Sequence, residues 1–182
     1  MKIGKTLYVT DRADWRGWLE KHHDKEPEIW LIYYKKGSGK SRISYNDAVE
    51  EALCFGWIDS TVKGIDEEKY AQRFSPRNPK SNWSQANKER VRRLLEQGKM
   101  TKSGLEKFTG INLNSFEIPA DILKALKKDA ETWENFQKFP GSYQRVRISF
   151  VEGARNRPLE FKKRLNYLLK MTRQNKKFGI VR

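Results

Sequence analysis

Residues 44–60 read S-Y-N-D-A-V-E-E-A-L-C-F-G-W-I-D-S, and residues 70–87 read Y-A-Q-R-F-S-P-R-N-P-K-S-N-W-S-Q-A-N. The first stretch opens with Ser44, a favourable N-cap, and Asp47 three residues later strengthens a helix start. Tyr45, Ala48, Val49, Ala52 and Leu53 then recur at helical spacing on one apolar face, and Gly56 suits a left-handed helix stop. Trp57 to Val62 reads as a strand, with Trp57 and Asp59 on one face and Ile58, Ser60 and Val62 on the other. Tyr70 to Ser75 forms a second strand after the polar turn G-I-D-E-E-K, so an antiparallel hairpin is expected. Together they predict an α+β fold, a small and mostly antiparallel sheet packed with helices.

Upstream, Leu7–Val9 is a short edge strand, and Thr10 or Asp11 caps a helix carrying Trp15, Trp18 and Leu19 at its core-facing positions. Pro27 is expected to stop that helix, and the adjacent His22 and His23 at its end read as surface residues. E-I-W-L-I-Y-Y-K at 28–35 is an unbroken apolar and aromatic run, the pattern of a central strand covered on both faces. The following K-K-G-S-G-K-S-R is a basic turn that lacks the glycine spacing of a phosphate loop.

Downstream, Ser81 or Ser84 caps a helix with Ala86, Val91, Leu94 and Leu95 inward and Gly98 as its stop, and Thr101 opens a short helix through Phe108. These readings divide the chain into an α+β domain at 1–109, a linker at 110–118 and an all-helical module at 119–182. The module's four helices start near Pro119, Asp129, Ser142 and Pro158. Trp133, Phe136, Tyr143, Val146, Phe150, Phe161 and Leu168 are among their inward positions.

The 182-residue chain carries 38 Lys and Arg against 23 Asp and Glu, a net +15 that favours polyanionic partners. From residue 140 to the end there are 12 Lys and Arg against 2 Glu, so much of this charge sits in the last helices. One cysteine and two histidines exclude an internal disulfide and a structural zinc site, and no cofactor or metal motif is present. No 18-residue apolar run and no signal-peptide pattern occur, which leads to the expectation of a cytoplasmic protein without a transmembrane segment. Cys54 has no visible base partner and reads as a buried structural thiol.

Two readings of the hairpin arginines stand. Asp59 pairs with Arg73, or Arg73 and Arg77 face an open cleft beside the helix start at Ser84, whose unpaired N–H groups suit an anion. The candidate ligand-binding set is therefore Trp57, Asp59, Arg73, Ser75, Arg77, Ser84 and Asn87, with no catalytic residue assigned.

W-L-I-Y-Y-K-K, the 44–60 stretch, Y-A-Q-R-F-S-P-R, S-N-W-S-Q-A-N and L-E-Q-G-K-M-T-K-S-G resemble the bacterial YdeI/OmpD-associated, bacteriocin-protection family. The region from I-P-A-D-I-L-K-A-L onward is similar to that family's helical part, although Pro158, Leu159, Glu160 and Phe161 stand where a P-E-T-R type stretch is usual. The resemblance implies a protection or stress-resistance role and transfers no catalytic residues. The expected function is a non-enzymatic binding protein for a small anion or an acidic partner. Nucleic-acid binding by the basic helices, and an enzyme acting on a small phosphorylated or acidic substrate, are the alternatives.

Overall fold

Strands β1 (Thr6–Leu7), β2 (Ile29–Tyr34), β3 (Trp57–Gly64) and β4 (Lys69–Pro76) form one mixed sheet in the order β1-β2-β4-β3 in the computed structural model, which describes residues 2–113 and 115–179. Residues 180–182, at the end of the expected basic module, lie outside the described residues, as does Asn114 of the expected linker. The β1–β2 pair is parallel, while β2–β4 and β4–β3 are antiparallel, so the hairpin forms and the apolar run lands centrally. Eight helices occur among the described residues: α1 (Arg12–His22), α2 (Tyr45–Cys54), α3 (Gln85–Glu96), α4 (Lys102–Glu106), α5 (Ala120–Lys127), α6 (Ala130–Lys138), α7 (Gly141–Glu152) and α8 (Pro158–Arg173).

The described residues fall into two compact units, one of residues up to 82 with 90–111, the other of 83–89 with 112 onward. In the first, Trp15 and Leu19 of α1, Val49 and Leu53 of α2, and Ile29, Leu31 and Phe74 of the sheet are fully enclosed. Trp15 meets Phe74 edge-on at 5.5 Å, and its indole N–H donates to the Ala48 carbonyl at 3.0 Å, so one side chain joins α1, α2 and β4. The second unit has its own core of Ile122, Leu126, Phe136, Tyr143, Ile148 and Leu168.

Local chemistry explains the element ends. Asp11 and Ser44 accept from the backbone N–H groups of Asp14 and Asp47, satisfying donors that the helices leave open. Gly56 has φ +74°, where a side chain would be strained. Gly104 lets α4 approach the end of α2 so closely that a Cβ would lie 2.2 Å from the Cys54 carbonyl oxygen.

Several expectations are corrected. Helix α1 ends at His22, closed by the His23 N–H to the Leu19 carbonyl, so Pro27 lies past its end. His23 is not a plain surface residue, because its ring bonds the Leu19 carbonyl at 2.8 Å and the Ser103 hydroxyl at 2.9 Å. A bulge between Asp59 and Val62 adds one residue to β3, so Val62 pairs with Gln72 and takes the face of Asp59. Tyr45, Leu95 and Phe150 are exposed rather than inward. Phe150 instead supports the Arg164 guanidinium, 4.0 Å above its ring.

Cys54 is buried, and burial pushes its thiol up to about 11, outweighing the Arg16 guanidinium that favours the thiolate. Iodoacetamide at neutral pH is therefore expected to leave the native protein unmodified and to alkylate Cys54 fully after denaturation. Modification of the native protein at a comparable rate would show that the α2–α4 contact opens readily.

Candidate functional site

The β3–β4 hairpin separates its candidate residues by the strand period of two. On the face covered by α1 and α2, Trp57 is a core residue whose indole N–H donates to the His23 carbonyl at 3.0 Å. Asp59, half-buried on the same face, accepts at Oδ2 from the Tyr45 hydroxyl at 3.0 Å and the Gln72 amide at 2.8 Å. Tyr33 of β2 is enclosed nearby and stacks on Tyr70 at 5.3 Å with 6° between the rings. Arg42 donates to the Tyr70 hydroxyl at 3.2 Å. Burial, with Asp59 beside it, pushes the Tyr45 hydroxyl up to about 12, so at neutral pH it is a donor to Asp59.

Arg73 projects from the opposite face. Its Nε donates to Glu28 Oε2 at 2.6 Å, and its Nη1 to the hydroxyls of Ser60 and Ser75 at 3.3 and 3.4 Å. The Arg73 guanidinium, and next the Trp30 indole N–H bonded to the other Glu28 oxygen, hold that carboxyl below its ordinary value. The expected Asp59–Arg73 pair does not form, because Asp59 shares its face with Phe74 and Gln72, the two neighbours of Arg73 on β4.

Arg77 is buried. Its Nη2 donates to the carbonyls of Ser81 and Asn82 at 3.1 and 2.7 Å, fastening the loop after β4, and its own N–H donates to the Gly56 carbonyl at 2.8 Å. Burial lowers the pKa of its guanidinium. Arg73 and Arg77 thus serve different surroundings and do not converge on one point. Ser84 accepts from the Asn87 N–H at 3.2 Å, as expected of the cap of α3, and both residues belong to the second unit.

A charged layer in the first unit escaped sequence reading. Glu51 of α2, almost enclosed, accepts from Arg12 at 2.7 Å and Arg16 at 2.9 Å, and Glu50 accepts from Arg12 and from Arg93 of α3. The available signal was the pair Arg12 and Arg16, four apart on one helix, matched to an adjacent Glu-Glu on the next.

In the second unit, α8 turns Phe161, Leu165, Leu168 and Thr172 inward. Leu159, Lys162, Lys163, Asn166, Lys170 and Arg173 are all exposed and fall on the other side at i, i+3, i+4, i+7, i+11 and i+14. Lys162, Lys163 and Lys170 form no salt bridge with the described residues, and Arg173 has an exposed one to Glu131 at 3.5 Å. Lys170 and Arg173 also edge a cleft of about 810 Å³ beside α5 and α6, with Lys128 across it. Arg155 is by contrast neutralised by Asp121 and Glu152.

Residues 7–107 match a family described as a domain of unknown function (DUF8412), and residues 115–175 match the family described as Bacteriocin-protection, YdeI or OmpD-Associated. The chain belongs to the first of these families, whose model covers more than half of it, and its residues 115–175 are similar to the second. The YdeI/OmpD-associated match spans α5 to α8 and so includes the basic face, while the other match covers the sheet and its helices. No curated protein and no solved structure matches the chain. Among the described residues, no group of His, Cys, Asp and Glu is placed to hold a metal ion. None of its described helices is long and apolar enough to cross a membrane.

Proposed function

We propose that this protein, whose residues 115–175 match the YdeI/OmpD-associated family, is a non-catalytic protection protein that engages an anionic macromolecule through the exposed face of α8. The observation that carries this is the alignment of Lys162, Lys163, Lys170 and Arg173 on one side of a 16-residue helix, three of them in no salt bridge among the described residues. Four cations held on a rigid helix meet a negatively charged surface together and release its counterions together. The anion role expected of Arg73 and Arg77 passes to this face, because Arg73 is neutralised by Glu28 and Arg77 is turned to loop carbonyls.

Binding of the full-length protein to duplex DNA and to phosphatidylserine vesicles tests the proposal. Reversing three charges, Lys162→Glu, Lys163→Glu and Lys170→Glu, is expected to weaken both by about a hundredfold or more, at ~1 kcal/mol for each lysine removed from an anionic surface. The melting temperature should hardly change, since all three side chains point to solvent. Leu159, 88% exposed at the start of the face, separates the two kinds of partner. If lipid is the partner, Leu159→Ser should weaken vesicle binding by about tenfold, through the lost insertion of one leucine, and leave DNA binding unchanged. Unaltered binding by the triple variant would refute the assignment to α8.

A further inference from the structure

The cleft bounded by the end of α5, the first turn of α6 and the last turns of α8 is open to solvent and has a volume of about 810 Å³, which suits a small organic molecule. Its apolar floor is Ala125 and Leu169, both half-buried. Lys128 stands at the α5 end, and Lys170 and Arg173 stand on α8. All three are exposed, so a ligand reaches them directly from water. The walls are tied in place within the protein itself. Asn135 of α6 donates its side-chain amide to the Arg173 carbonyl at 3.1 Å, and buried Thr132 gives its N–H and hydroxyl to Asp129 at 2.9 and 2.6 Å.

The charges already engaged in the cleft decide what it can take. Asp129 caps α6, and the two bonds from Thr132 hold its carboxyl below the ordinary value. That carboxylate also fills the N-terminal end of α6, so an anion has to be held by side chains. Glu131 meets Arg173 at Nε, 3.5 Å away, which leaves both terminal nitrogens of the guanidinium without a partner among the described residues. Lys128 and Lys170 enter no salt bridge among the described residues.

Two unengaged ammoniums and a guanidinium fork around one cleft repel one another, and a compact, doubly charged anion offsets that repulsion. A phosphomonoester brings about −1.5 to −2 charges and three strong acceptor oxygens at neutral pH. The floor of Ala125 and Leu169 calls for an organic body beside the charge. We propose that this cleft binds a small phosphomonoester, its phosphate among Lys128, Lys170 and Arg173 and its organic part on Ala125 and Leu169. The proposal rests on the reading that Lys170 and Arg173 meet anions, and adds a small-molecule site whose third cation, Lys128, lies off the α8 face.

Amide ¹H–¹⁵N spectra of the full-length protein titrated with phenyl phosphate test this. Saturable shifts are expected at residues 128–132 and 169–174. Inorganic phosphate, which lacks the ring, and phenyl sulfate, which carries a single charge, should each bind about tenfold more weakly. Lys128→Gln should weaken phenyl phosphate by about tenfold, the loss of one charge-assisted contact, and leave duplex DNA binding nearly unchanged. The paired change Lys162→Glu and Lys163→Glu should do the opposite. Lys163 is seven residues from Lys170, about 10 Å along the helix, which exceeds the screening length of about 8 Å at 0.15 M salt. The two variants thus separate a failure of the cleft from a failure of the α8 face. Absence of saturable shifts at 128–132 and 169–174, equal binding of phenyl sulfate, or full phenyl phosphate binding by Lys128→Gln would overturn the proposal. So would loss of phenyl phosphate binding in the paired variant, since the ligand would then sit on the open face of α8.

Discussion

Replacing Trp57 with Ala is expected to remove about 3–5 kcal/mol of stability, the usual cost of emptying a buried large aromatic site. Trp57 is 1% exposed and meets the Trp18 ring edge-on at 5.8 Å. Its indole N–H satisfies the carbonyl of His23, whose ring in turn bonds the α1 backbone and Ser103 of α4. The substitution therefore opens a cavity and leaves the carbonyl of His23, the residue whose N–H closes α1, without its indole donor. Trp57→Phe keeps most of the ring and loses that hydrogen bond, so a smaller loss of about 1–2 kcal/mol is expected from it. Urea titrations of both variants give the comparison. A loss below about 1 kcal/mol for Trp57→Ala would show that the indole is not part of the core.

Glu51→Ala should be the most damaging single change outside the apolar core. Its carboxylate is almost enclosed and answers both Arg12 and Arg16, so truncation removes their shared and most buried partner and leaves Arg12 to Asp47 and Glu50 and Arg16 to Glu20. Breaking a fully buried pair costs about 3–5 kcal/mol, but these arginines keep about a third of their side-chain surface, so ~2–3 kcal/mol is the expected loss. Glu20, which pairs with Arg16 from a far more exposed position, is the control, and Glu20→Ala should cost less than about 0.5 kcal/mol. Equal losses for the two variants would mean that burial of Glu51 does not set the strength of the network.

Short-range chemistry made much of the fold legible. The caps at Asp11 and Ser44, the left-handed Gly56 and the apolar run at 29–34 each follow from the residues themselves, and the structure has them at those positions. What escaped depends on partners distant in sequence. The residues of β3 predict a regular side-chain alternation, and the bulge after Asp59 changes it because β3 carries one residue more than β4 over the same span. Glu50 and Glu51 look like the solvated side of an amphipathic helix until Arg12, Arg16 and Arg93 arrive from two other helices.

The candidate site was less legible than the fold. In sequence, Asp59 follows Trp57 and Ile58, and the hairpin suggests Arg73 as its partner. The strand period sends Arg73 to the other face, and Tyr45, fourteen residues earlier, reaches Asp59 from α2. Tyr33 lies inside what reads as a featureless apolar strand, and only the packed sheet stacks its ring on Tyr70. The face of α8, by contrast, is legible in the sequence, since its lysines separate from Phe161, Leu165 and Leu168 by helical periodicity alone.

The salt dependence of duplex DNA binding tests the central claim about that face most directly. If Lys162, Lys163, Lys170 and Arg173 each neutralise one phosphate, the logarithm of the binding constant should fall with the logarithm of salt concentration at a slope near −3.6, about 0.9 for each contact. Replacing the three lysines with alanine should then reduce the slope to about −0.9, the contribution left to Arg173. A slope that the three substitutions leave unchanged would contradict the account, because the charges that meet the anion would then lie elsewhere on the chain.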